Sequence, residues 1–123
     1  MSARVVLVVE DDIDIRETVI DALLDEGYTA VGAVDGVAAL QQLRRMESPP
    51  GLILLDLMMP RMNGMEFCAE KNADPRWSAV PVVILSADAQ AVQRAKLCGA
   101  ADCLRKPVKL DMLYATVSRF VAG

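Results

Sequence analysis

GLILLDLMMP, residues 51–60, is the stretch whose reading decides the fold. Four apolar residues, Leu52 to Leu55, run without alternation into a carboxylate, Asp56. An apolar run that does not alternate fits a strand buried on both faces, as in a parallel sheet covered by helices. A carboxylate at the end of such a strand costs free energy unless something holds it. Either Asp56 has partners elsewhere in the chain, or it is an ordinary turn residue.

The flanking sequence repeats the pattern. VVLVV (5–9) is a second run without alternation. Ile13 to Glu26 follows as a helix with Ile13, Val19, Ile20, Leu23 and Leu24 on one side. Asp14 and Glu17 have capping-box spacing, and Gly27 fits the stop. YTAVGAV (28–34) is a weaker strand, and Asp35 caps a second helix through about Met46, which SPPG (48–51) breaks. After LILL comes a helix near Gly64 to Asn72, ended by Asp74-Pro75. VPVVIL (80–85) is the fourth strand, 89–98 a helix closed by Gly99, and ADCLR (101–105) a short fifth strand. Leu110, Leu113, Val117, Phe120 and Val121 share a last helical face. Five β–α units in alternation predict an α/β protein with a doubly wound five-stranded parallel sheet.

Composition narrows the function classes. The 123 residues fit one domain, and 54% hydrophobic with 24% charged residues is a globular balance. The apolar runs are too short to span a bilayer, and the opening MSARVVLVVEDD lacks a signal-peptide layout, so no membrane role and a cytoplasmic location are expected. Cys68, Cys98 and Cys103 form no CxxC pair and the chain has no His, which excludes a Cys/His zinc site. A net charge of −4 without a basic cluster argues against direct nucleic-acid binding.

In a doubly wound sheet, sites form at the carboxyl ends of the strands. Glu10, Asp11 and Asp12 follow the first strand, Asp56 ends the third, Ser86 follows the fourth, and Lys106-Pro107 follows the fifth. Asp11, Asp12 and Asp56 are hard oxygen ligands suited to Mg²⁺. Asp56 as a free carboxylate is suited to attack a phosphoryl group, with Lys106 and the Ser86 hydroxyl contacting the other phosphoryl oxygens. Each residue also has a plainer role open to it. An Asp pair before a helix caps it, a serine ends a turn, and a lysine at a rim is solvated.

The motifs VLVVEDD (6–12), LLDLMMPRMNG (54–64), VVILSA (82–87) and CLRKP (103–107) resemble the receiver domain of bacterial two-component response regulators, the chemotaxis-type fold, over essentially the whole chain. The resemblance implies a flavodoxin-like (βα)5 arrangement with strand order 2-1-3-4-5, and a single receiver domain over residues 1–123. It implies that Asp56 is the phosphoacceptor and that Asp11, Asp12, Asp56 and the backbone carbonyl of Met58 bind Mg²⁺. Ser86 is then the switch hydroxyl, Lys106 the phosphate-contacting lysine, and Pro107 the proline of a cis peptide bond. Pro60 and Gly64 match the turn after the acceptor strand. The donor is a phosphohistidine on a sensor histidine kinase or histidine phosphotransfer protein.

Output is implied at the surface of the fourth helix, fifth strand and fifth helix. Tyr114, Arg94 and Lys96 are candidate contributors there, toward a downstream protein target or a homodimer. Such a domain is a signalling switch, not an enzyme beyond its own phosphorylation and dephosphorylation. Many members carry an aromatic residue three positions before the lysine, where this chain has Cys103. Met58 and Asp88, two after Asp56 and two after Ser86, stand where the family tunes water's access to the acyl phosphate.

Rival readings fit less well. An FMN binder needs a Ser/Thr/Gly-rich loop where this chain has EDD, and no G-x-G-x-x-G exists for a dinucleotide domain. A haloacid-dehalogenase-type phosphatase needs a second Asp where Met58 stands. A pseudo-receiver, a binding module that is never phosphorylated, is the remaining alternative. It typically lacks an acid or the lysine, and here all are present.

Overall fold

The computed structural model describes residues 5–59, 61–88 and 90–121. Strands β1 (Val5–Val9), β2 (Thr29–Ala33), β3 (Leu52–Asp56), β4 (Val82–Ser86) and β5 (Asp102–Arg105) alternate with helices α1 (Ile13–Asp25), α2 (Gly36–Arg45), α3 (Gly64–Ala73), α4 (Ala91–Cys98) and α5 (Leu110–Phe120). The strands form one parallel sheet in the order β2-β1-β3-β4-β5, the order the resemblance implied. Each parallel neighbour requires a crossover, and the helices supply it.

The pleat divides the core in two. Val6 and Val8 of β1, Leu52 and Leu54 of β3, and Val83 and Leu85 of β4 face α1 and α5, where Val19, Leu23, Leu113 and Val117 meet them. Leu7, Val9, Ile53, Leu55, Val82 and Ile84 face α2, α3 and α4, against Leu40, Leu43, Phe67, Cys68, Ala95 and Cys98. Leu7, Leu23, Leu55 and Phe67 are fully buried, so truncating one to alanine removes its transfer energy and leaves a cavity, about 2–5 kcal/mol.

Some local expectations shift. Helix α1 is capped by Asp12, not through an Asp14–Glu17 box, because helical geometry begins at Ile13 and the extended residue before it meets the free amides. Its buried stripe is Val19, Ala22 and Leu23, whereas Ile13 and Leu24 are exposed. Leu24 sits about 100° around the axis from Leu23, past the edge of the stripe. Leu110 is exposed as well, at the first position of α5. Asp35 caps α2 as expected, its Oδ1 accepting from the Ala38 amide at 2.8 Å. Gly99 closes α4 at φ +71°, and Gly27, after α1, also takes a positive φ. Pro60 lies outside the described residues, as does Ala89 at the start of the fourth expected helix.

Candidate functional site

Register brings the charged residues together. Val9 pairs with Leu55, and Asp56 with Leu85, so Asp56 lies one step beyond the last β1–β3 pair. Glu10 continues the β1 ladder by donating its amide to the Ala33 carbonyl at 3.0 Å. By the period-two alternation, Glu10 follows Val6 and Val8, Asp56 follows Leu52 and Leu54, and Lys106 follows Leu104. Three residues of one sheet face thus run off its carboxyl edge together, and two carboxyl groups meet one ammonium there.

The contacts are short. Lys106 Nζ lies 2.6 Å from Glu10 Oε2 and 3.4 Å from Asp56 Oδ2. Glu10 is 1% exposed and Asp56 4%. Glu10 Oε1 accepts from the Asp12 amide at 3.1 Å, and Arg16 donates to the Glu10 carbonyl at 2.7 Å. The buried Glu10 Oε2 is engaged by the Lys106 ammonium alone. Burial pushes the Glu10 carboxyl well above the usual carboxylate range, against the pull of Lys106. Burial draws the Lys106 ammonium down, but Glu10 and Asp56 outweigh it and hold it above the ordinary lysine value.

The acid group differs from the expected one. Carboxylate oxygens of Glu10, Asp11 and Asp56 lie within 4.8 Å of one another. Asp12 is outside that cluster. Its Oδ1 accepts from the Asp14 and Ile15 amides at 2.9 and 3.1 Å, the first free donors of α1. The structure thus places Asp12 in a helix cap, and Glu10 rather than Asp12 stands in the acid cluster with Asp11 and Asp56. The chain turns into the helix after Asp11, and Asp12 serves that turn. Three carboxylates with oxygens this close offer hard ligands that fit a small divalent cation.

Two backbone turns complete the rim. The Met58 amide donates to Asp56 Oδ1 at 3.1 Å, and the Asp88 amide donates to Ser86 Oγ at 3.0 Å. Ser86 is buried at the end of β4, beside β3, while Met58 is 64% exposed. Gly64 seats the loop after β3. Its amide donates to the Leu57 carbonyl at 3.1 Å, and a Cβ there would stand 2.8 Å from Leu57 Cα and 2.9 Å from the Asp56 carbonyl. The same loop is tied sideways to α2, where Arg61 Nε lies 2.6 Å from Asp35 Oδ2. Asp56 thus stands among acids, an ammonium and a buried hydroxyl, on a loop held from two sides.

That constellation matches a known family. The response regulator receiver domain model matches residues 6–118. The chain belongs to this family. The DNA-binding response regulator MtrA of Mycobacterium tuberculosis is 40% identical over 114 residues, 91% of this chain and 48% of that protein. Response regulator PleD of Caulobacter vibrioides is 39% identical over 120 residues, 95% of this chain and 26% of that protein. The chain therefore spans half or less of the length of these curated relatives. Among solved structures, chemotaxis protein CheY4 of Vibrio cholerae superposes with TM-score 0.86 at 31% identity, covering 95% of this chain and 98% of that one. A solved structure from Chloroflexus aurantiacus reaches TM-score 0.89 at 27% identity, with 98% of each chain covered.

As a receiver domain the chain belongs to phosphorylation-dependent two-component signalling, in which response regulators take phosphate from histidine kinases. Receiver domains generally use Mg²⁺ at an acidic pocket. Of the remaining expected residues, the Lys106–Pro107 bond is cis. Cys103 is half-buried on β5 at the edge of the core facing α2, α3 and α4. Lys96 is exposed on α4, and Tyr114 half-buried on α5. Among the described residues no helix is long and apolar enough to cross a membrane.

Sequence reasoning undervalued Glu10, although its place two residues after Val8 marks it as inward-facing. It did not find the Arg16 and Arg61 contacts, for which local sequence carries no signal.

Proposed function

We propose that this receiver domain accepts a phosphoryl group on Asp56 from a phosphohistidine of a sensor histidine kinase or histidine phosphotransfer protein. The observation that carries the proposal is the placing of Asp56, at the end of a buried strand with Lys106 at 3.4 Å and the acid cluster around it. Glu10, Asp11 and Asp56, with the Met58 carbonyl, are the groups that would hold Mg²⁺. When bound, Mg²⁺ supplies positive charge beside the phosphoryl oxygens, favouring ionised carboxylates that otherwise repel one another.

In the transfer, a carboxylate oxygen of Asp56 forms the new bond to phosphorus as the bond to the histidine nitrogen breaks. Lys106 already lies between Glu10 and Asp56 and needs only a small movement to meet a phosphoryl oxygen. Ser86 Oγ accepts from the Asp88 amide, which leaves the hydroxyl proton for a phosphoryl oxygen. Engaging Ser86 and Lys106 pulls on the loops after β4 and β5. This biases a two-state equilibrium toward a changed α4-β5-α5 surface, the site proposed for a downstream protein or a second copy.

Incubating the chain with Mg²⁺ and acetyl phosphate tests the proposal. A mass gain of one phosphoryl group, abolished by Asp56→Asn, is expected. No gain with acetyl phosphate or with a phosphohistidine donor would leave a protein-binding module that is never phosphorylated.

A further inference from the structure

One guanidinium links the two rim turns. Arg94, on α4, lies with Nη1 2.9 Å from Asp88 Oδ2 and 3.6 Å from Met58 Sδ. Both partners are anchored to the site by their own backbone, Met58 through its amide to Asp56 and Asp88 through its amide to Ser86. The five residues form a chain of contacts, Asp56–Met58–Arg94–Asp88–Ser86, that joins the Asp56 carboxylate to the Ser86 hydroxyl. The second Asp88 oxygen is engaged as well, accepting from the Gln90 amide at 2.8 Å. Asp88 is thus held by Arg94 on one oxygen and by backbone on the other.

We propose that Arg94 is a positioning residue that closes this bridge and lengthens the life of phosphorylated Asp56. The inference rests on Asp56 carrying the phosphoryl group. Hydrolysis forms one bond from water oxygen to phosphorus and breaks the bond to the Asp56 oxygen. It releases inorganic phosphate, and the water proton passes to phosphate or solvent. The attacking water must approach from the side opposite Asp56, through the opening that Met58 and Asp88 flank. With Arg94 in place, Met58 is drawn across that path and the Asp88 carboxylate is occupied. Without it, Met58 swings clear and Asp88 has a free oxygen with which to orient water.

The test follows the decay of the phosphorylated chain. Wild type and variants are charged with acetyl phosphate and Mg²⁺, the donor is removed, and intact mass is followed in time. Arg94→Ala should charge normally and lose the phosphoryl group about fivefold faster, the scale of one rim ion pair. Arg94→Lys, which keeps a cation in reach of Asp88, should recover much of the wild-type half-life. In an Asp88→Ala background, Arg94→Ala should add less than it does in wild type, because only the Met58 contact remains to be lost. An unchanged half-life in a normally charged Arg94→Ala overturns the inference, as do effects of the two substitutions that simply multiply. A faster decay that Arg94→Lys fails to rescue, with a lowered unfolding midpoint, marks a structural role and overturns it too. Failure of wild type to charge at all is a different result, which removes the proposed function itself.

Discussion

Lys106 Nζ stands 2.6 Å from Glu10 Oε2 and 3.4 Å from Asp56 Oδ2, so the glutamate is its nearer partner. The lysine is held in place by a residue other than Asp56. Asp56 is left with the Met58 amide and the more distant end of the ammonium. This arrangement keeps a cation at the rim without committing Asp56 to it.

Glu10→Gln removes one of the three clustered charges while keeping the side chain's size. Mg²⁺ affinity measured by calorimetry should fall on the order of tenfold, the scale of losing a residue that supports a metal site. An unchanged dissociation constant would remove Glu10 from the metal set.

Asp12→Ala should do the opposite. Its carboxylate holds the first amides of α1, so the variant should lose about 1 kcal/mol in urea unfolding. Mg²⁺ binding should stay close to wild type. A large loss of Mg²⁺ affinity with unchanged stability would restore Asp12 as a ligand.

Arg61 makes part of the stability depend on pH. Its guanidinium, above all through its hydrogen bond, holds the Asp35 carboxyl below the usual carboxylate range. A depressed folded-state value means that the unfolded chain binds the proton more readily. The contribution is full above the unfolded value near 3.8 and is lost as pH falls through the lower folded value. Urea midpoints taken from about pH 5 down to about pH 3 should fall less steeply in Arg61→Ala than in wild type. Parallel curves would show that the ion pair contributes nothing in solution.

Cys103→Ala should leave the phosphorylation-induced change mostly intact. A small half-buried side chain on β5 neither fills nor vacates the space of an aromatic ring. Loss of the activated-state NMR shifts in this variant would show that the thiol takes part in the switch.

Gly64→Ala tests the loop seat. The added Cβ meets backbone of Leu57 and Asp56, which cannot move without shifting the Asp56 carboxylate. A loss of about 1–3 kcal/mol in stability is expected, with slower phosphorylation. A variant as stable and as fast as wild type would show that the loop yields freely.

Much of the fold was legible because its signals are local. VVLVV and LILL lack alternation since both their faces are buried, and Leu52 to Leu55 are indeed inaccessible. Asp35 announced α2, and Gly99 the end of α4, each by its own side-chain chemistry. The boundary after β1 was harder to place. EDD offers three acids in succession, and spacing does not say at which one the strand gives way to the helix. The observed handover after Asp11 turns Asp12 into a cap and leaves Glu10 facing inward. Arg94–Met58 and Arg61–Asp35 join residues 36 and 26 positions apart, and no local pattern announces either.

The amino-acid sequence alone determined a parallel sheet wrapped by helices, with acids, a serine and a lysine at the strand ends, and Asp56 central among them. These follow from burial and from side-chain type, which each segment carries by itself. Only the tertiary structure decided that Glu10 rather than Asp12 joins Asp11 and Asp56. It also decided that Lys106 rests against Glu10, and that Arg94 closes the bridge between Met58 and Asp88. Those choices depend on strand register and on the reach of side chains between distant elements, and both exist only once the sheet is assembled.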